Sequence, residues 1–187
     1  MQFRIIELTE TDKFQFLRIY KNGNSSVSKC IEDNFPGKFW QGRSLAVNKP
    51  RFAVIRDPYE RFISGLKYDL KRHNVNVQDI KLDKLFATNE IHLRNTVNGN
   101  INHSASQILF LMNAGVSHYI DIKDLNLFLK MHFNNVPTLN KSNQETEEIE
   151  KYLDKKEIMK YLHLDYCVYN SIISSPFLWE WQHGKIF

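Results

Sequence analysis

The chain has 187 residues, 42% of them hydrophobic, with a formal net charge of +4 and a pI near 9.0. That is enough apolar material for one substantial core, and no Pro/Gly/Ser-rich linker, repeat or low-complexity run divides residues 1–187, so a single domain is expected. A run of about twenty apolar residues and a basic-then-apolar leader are both lacking, which argues against a membrane protein and points to a soluble, cytoplasmic one. The two cysteines, Cys30 and Cys167, have neither metal nor redox spacing and read as small buried hydrophobes in apolar helical patterns.

In chain order, Phe14, Phe16, Leu17, Ile19 and Tyr20 predict a strand over 14–20. Lys21-Asn22-Gly23-Asn24-Ser25-Ser26 breaks it, and Val27, Cys30 and Ile31 resume at helical spacing, predicting a helix over 25–34. Gly23 permits a positive φ and a close backbone approach, while Ser25 and Ser26 can cap the helix. Free N–H groups and the helix dipole favour an oxyanion at such a start, and Lys21 adds a positive charge. The Lys precedes the Gly, the reverse of the Gly-x-x-x-x-Gly-Lys-Ser/Thr order of an ATPase loop.

Phe52 to Ile55 predict a core strand over 51–55, followed by a helix over 57–72. Asp57-Pro58-Tyr59-Glu60 has the residues of a helix start, with Asp at N-cap, Pro at N1 and Glu at N3. Tyr59, Phe62, Ile63, Leu66 and Leu70 share one face, which leaves Arg61 on the polar side and Ser64 two turns in. Arg56, ending an apolar strand, needs a partner, and its planar fork suits phosphate. Two strand-to-helix turns of this kind suggest a ligand with two separate phosphates.

Downstream, a polar helical stretch at 77–94 holds His92 and a loop runs through 95–106, whose Asn-rich part from Asn95 to Asn102 reads either as a lip of a second substrate's site or as a mobile surface connection. Strands are expected at 107–112 and 118–122, a helix at 123–134 and further helices after 143. Strands alternating with helices argue for an α/β fold with a central parallel β-sheet covered on both faces. Glu145 to Glu150 reads as a solvated helix face, and Phe177, Trp179, Trp181 and Phe187 as aromatic anchors of the C-terminal tail.

Lys-x-Gly-x-Ser-Ser after one strand and Arg-Asp-Pro-x-x-Arg-x-x-Ser after the next resemble the sulfotransferases that use 3′-phosphoadenosine 5′-phosphosulfate (PAPS), most closely the carbohydrate branch. The resemblance implies a P-loop-nucleotide-kinase-like sulfotransferase fold. It also implies that Lys21, Asn22, Gly23, Asn24, Ser25 and Ser26 hold the 5′-phosphosulfate and that Arg56 and Ser64 hold the 3′-phosphate. Asn102 to Gln107 is similar to a His-x-x-x-Gln segment of the family, making His103 the candidate general base; Glu32, Asp33 and Glu60 are alternatives, and His73 reads as a surface group. Pro137 to Ser142 resembles a basic loop before the C-terminal helices, with Lys141 in reach of the nucleotide. Leu164 to Tyr169 resembles a closing Tyr-x-x-Asp-Tyr pattern without its first Tyr, and Tyr20 stands where the family usually has Pro.

The implied reaction moves a sulfuryl group to a hydroxyl, most plausibly of a saccharide, leaving 3′-phosphoadenosine 5′-phosphate, with no metal expected and with neither nucleic acid nor membrane as partner. Animal relatives of this branch carry a membrane anchor, so its lack here points to a bacterial or viral origin or to an anchor trimmed away. Two rivals remain open: an ATP-dependent small-molecule kinase with an atypical phosphate loop, and a non-catalytic polyanion-binding module whose affinity would fall steeply with salt.

Overall fold

The computed structural model describes residues 7–42, 49–74, 76–79, 82, 103–104, 106–112, 114–136 and 149–179. Its centre is a five-stranded mixed sheet in an α/β arrangement. The strands are β1 (Leu8–Glu10), β2 (Gln15–Leu17), β3 (Trp40–Gly42), β4 (Arg51–Ile55) and β5 (His118–Asp121), in the order β3-β1-β2-β4-β5. β2, β4 and β5 run parallel, as the alternation of strands and helices predicts. β1 runs antiparallel to both β2 and β3, so the sheet is not purely parallel. Four residues separate β1 from β2, too few for a crossover, and a parallel pairing is therefore impossible there. The Thr11 hydroxyl accepts from the N–H groups of Lys13 and Phe14, each at 3.2 Å, and closes the turn.

Helices cover both faces: α1 (Asn24–Asn34), α2 (Pro58–His73), α3 (Ile108–Leu111), α4 (Leu125–His132), α5 (Lys155–Tyr161) and α6 (His163–Ile173), with a 3₁₀ turn at Val77–Asp79. The alternation of β4 sorts the layers. Phe52 and Val54 meet α1 and α4 through Val27, Ile31, Phe128 and Leu129, while Ala53 contacts Ala114 and Ile55 contacts Tyr169 and Ile172 on the other side. All five residues of β4 are buried, as a central parallel strand requires. Arg51, at its start, donates from Nε and Nη2 to Gln15 Oε1 and from Nη1 to the Ala114 carbonyl.

The expected strand at 107–112 is instead the short helix α3. Leu111 N–H bonds to Gln107 O and Met112 N–H to Ile108 O, and Leu109 and Phe110 turn onto the α2 layer. A four-residue apolar run fits either period, and tertiary contact decides. The position beside β5 goes to the chain's later residues: Tyr119 and Trp179 exchange backbone bonds with the 177–179 segment and β5, at 2.8 and 2.7 Å. Trp179 anchors it, 2% exposed and edge-on to Phe128, whereas Phe177 is exposed. Cys30 is buried, and burial pushes its thiol up to about 12; Cys167 is exposed, against expectation, because it falls on the outer side of α6. Trp181, Phe187, Glu145 and the 83–102 stretch with His92 lie outside the described residues. No helix among the described residues is long and apolar enough to cross a membrane.

Candidate active site at the carboxyl ends of β2 and β4

Ahead of α1 the chain makes a left-handed double bend. Lys21 has φ 65° and Gly23 φ 76°. For Gly23 this conformation is unstrained, and a side chain is excluded twice over, since a Cβ would lie 2.6 Å from Leu125 Cδ2. For Lys21 it is an uncommon, strained state. Gly23 is the N-cap, so Ser25 and Ser26 stand inside the first turn and do not cap it. The first intrahelical bond is Val27 N–H to Gly23 O at 3.0 Å, which leaves the N–H groups of Asn24, Ser25 and Ser26 without intrahelical acceptors. No side chain caps this end, and Ser25 is exposed. Asn22 turns inward instead: fully buried, its Nδ2 donates to Val54 O at 2.8 Å and to Gln107 Oε1 at 3.2 Å.

The turn after β4 is built differently. Asp57 caps α2, accepting from Tyr59 N–H and Glu60 N–H at 3.0 Å each, and Pro58 needs no acceptor at N1. Tyr166 on α6 donates to both Asp57 oxygens, at 3.1 and 3.2 Å. This helix end is thus satisfied from within, and the anion-binding capacity of the second turn reduces to side chains. Arg56 is the foremost of them. It reaches Glu60 at 3.4 Å and the Lys21 carbonyl at 3.5 Å, both long contacts that leave the guanidinium with donors to spare. Ser64 is half-buried on α2, one turn before Tyr68 on the same stripe.

Gln107 locks the two turns together. Its Nε2 donates to Arg56 O at 3.0 Å, its Oε1 accepts from Asn22 Nδ2 and, at 3.5 Å, from Arg56 N–H, and its own N–H donates to Asp165 on α6 at 3.0 Å. Beneath it lies Arg61, buried rather than on the polar face that helical spacing suggested. Burial pushes its guanidinium down to about 10, opposed by Asp165. Burial likewise pushes Asp165 up, against Ser106 and Arg61.

The four helical positions Arg61, Gly65, Tyr68 and Asp69 bring the last candidate into place. His103 Nδ1 lies 2.9 Å from Asp69, and its ring sits 4.1 Å from the centre of Tyr68. The Lys21 ammonium lies over the same Tyr68 ring at 4.0 Å. Burial pushes Lys21 below its ordinary value, with Asp69 opposing and Arg56 and Lys67 reinforcing the shift. Lys21, Arg56 and His103, scattered over 83 positions of sequence, therefore share one surface at the carboxyl ends of two adjacent parallel strands. Such strand ends are where open α/β sheets bind ligands.

Other candidates are not brought here. Glu32 and Asp33 lie at the far end of α1, paired with Lys29 at 3.6 and 2.7 Å. Lys141, the Asn95 to Asn102 loop and the His73 side chain lie outside the described residues. A cleft of about 480 Å³ opens at the opposite end of the sheet, but its Lys49 is already paired with Glu10 at 2.6 Å. Sequence reasoning missed Asp69 and the clamping part of Gln107. The spacing of four in Arg61, Gly65 and Asp69 was a usable signal for the former, because it lines a polar stripe along a helix whose neighbouring stripe is apolar.

No protein-family model, curated protein or solved structure matches the chain. The functional reading therefore rests on the site's own geometry and on its two motifs.

Proposed function

We propose that the protein is a PAPS-dependent sulfotransferase of P-loop-nucleotide-kinase-like fold, acting on a hydroxyl of a saccharide acceptor. One observation carries the reading: an uncapped helix N-terminus with Lys21, the Arg56 fork and the His103 imidazole converge at neighbouring strand ends. The residues present suit the donor nucleotide. The open N–H groups of Asn24, Ser25 and Ser26 and the Lys21 ammonium would hold its 5′ end, and Arg56 with Ser64 its 3′-phosphate.

When bound, PAPS supplies the sulfuryl group for an in-line displacement at sulfur. Lys21 meets negative charge at the leaving phosphate oxygen, where a donor fixed in advance contributes most. Its desolvation strengthens that interaction by lowering the local dielectric. His103 would take the proton of the attacking hydroxyl, the part of a general base. Gln107 keeps the two anion-binding turns at a fixed separation.

The test is transfer of labelled sulfuryl from PAPS to a panel of neutral and anionic oligosaccharides. The reading expects labelled, sulfated product from at least one of them and none from the Lys21→Ala protein. Product that forms equally well without Lys21 would contradict it.

A further inference from the structure

Two features of α2 play no part in holding a nucleotide: a glycine in its middle and a buried carboxylate one turn later. A glycine weakens a helix interior relative to Ala, and a Cβ at Gly65 would run into the backbone of His103 and Ser104. The His103–Ser104 segment crosses α2 at a separation that only glycine allows. One turn on, Asp69 is 6% exposed and accepts from four donors of that segment: His103 N–H at 3.1 Å, His103 Nδ1 at 2.9 Å, Ser104 N–H at 3.1 Å and Ser104 Oγ at 3.2 Å. Burial opposes the charge on Asp69, yet the bonds from the His103 ring, the His103 N–H and the Ser104 N–H hold its carboxyl below the usual carboxylate range.

An ionised carboxylate only accepts, so Nδ1 carries a proton, and in the neutral ring the lone pair is on Nε2. The ring packs against Tyr20, 4.8 Å away between ring centres, and against Tyr68, 4.1 Å away. Arg61 reaches the His103 carbonyl at 3.4 Å and Lys21 packs on the Tyr68 ring, while Asp69 is the charged side chain that bonds to the imidazole among the described residues. The side chain keeps 18% of its surface exposed, and Nε2 has no hydrogen-bond partner among the described residues.

We infer that Asp69 is the positioning residue of the transfer reaction, fixing His103 as the Nδ1-protonated imidazole whose Nε2 takes the acceptor's proton. The catalytic half of this statement rests on the sulfotransferase reading; the tautomer does not. In the step, the acceptor oxygen bonds to sulfur while the bond from sulfur to the 5′-phosphate oxygen breaks, and the electron pair leaves with the phosphate. The hydroxyl proton passes to Nε2, leaving an imidazolium paired with Asp69. Nothing is oxidised or reduced.

The experiment joins nitrogen NMR of the imidazoles with steady-state kinetics. The His103 resonances are assigned by their loss in His103→Gln, and the neutral ring of the wild-type protein is expected to carry its proton on Nδ1. Asp69→Asn is expected to shift that tautomer and to lower kcat at least tenfold, with affinity for 3′-phosphoadenosine 5′-phosphate changed less than twofold. A wild-type ring protonated on Nε2 overturns the inference even if Asp69→Asn fails to fold. An unchanged kcat in a folded Asp69→Asn protein overturns it too, while bisphosphate binding upholds the donor site. A wild-type protein that binds no bisphosphate removes the sulfotransferase reading and with it the catalytic role of Asp69, and the NMR signature then decides the His103–Asp69 pairing alone.

Discussion

The two strand-to-helix turns, similar in sequence grammar, solve the same problem in opposite ways. After β4, Asp57 and Pro58 satisfy the start of α2 internally, and the turn is a finished structural joint. After β2, Gly23 caps α1 with no side chain at all, Lys21 is held at positive φ, and three N–H groups stay open. A capping carboxylate excludes an anion from the place it occupies, so one helix start is closed to an anion and the other leaves its amides available to one. Two phosphates would then be met by different means: helix amides and Lys21 for one, the Arg56 side chain for the other.

Substitutions can break this contrast, beginning with Lys21. Lys21→Ala is expected to lower transfer by roughly a hundred- to a thousandfold, the loss that follows removal of one preorganised donor, with an unchanged unfolding curve. Turnover near the wild-type rate would remove Lys21 from the mechanism. Because burial lowers the folded-state value of Lys21, its charge is lost earlier as pH rises. The alkaline limb of kcat/KM, which reports the free enzyme, is expected below the 10.5 of an ordinary lysine.

Arg56→Ala comes next. Loss of a charge-assisted bond of about 1.5–3 kcal/mol should weaken 3′-phosphoadenosine 5′-phosphate by roughly ten- to a hundredfold and adenosine 5′-phosphate far less. Equal losses would show that Arg56 does not read the 3′-phosphate. Gly23→Ala should cost about 1–2 kcal/mol in chemical denaturation through its left-handed backbone, with bisphosphate affinity falling as the Leu125 clash moves the turn. Asp57→Ala should cost about 1 kcal/mol of stability by removing a cap and leave bisphosphate affinity no weaker. A drop as large as that of Arg56→Ala would mean that the two helix starts are not the different devices described above.

What could be read in the sequence was local. Asp57-Pro58-Tyr59-Glu60 announces its cap because each residue meets a need of the adjacent backbone, and Phe52 to Ile55 announces a buried strand by its unbroken apolar run. Lys21 and Arg56 stood out by their places after apolar strands, whereas His103 stood out through the resemblance of its segment to a family motif. The antiparallel strands β1 and β3 were not legible, because three residues apiece give no alternation to detect, and Trp40 faces solvent. Nor was the fate of 107–112, where tertiary packing decides between two periods. The helical spacing of Arg61, Gly65 and Asp69 could have flagged Asp69, but its partner 34 positions away, like that of Gln107 at 85, leaves no record in a single sequence. The same holds for Arg61, whose helical position looked polar until Asp165 and the His103 carbonyl were brought over it.

Calorimetric titration with 3′-phosphoadenosine 5′-phosphate, adenosine 5′-phosphate and ATP, each with and without magnesium, addresses the donor site most directly. Metal-independent binding of the bisphosphate, at micromolar affinity or better and well above the monophosphate, is the expected result. Preference for ATP with magnesium, or no binding of the bisphosphate, would contradict it.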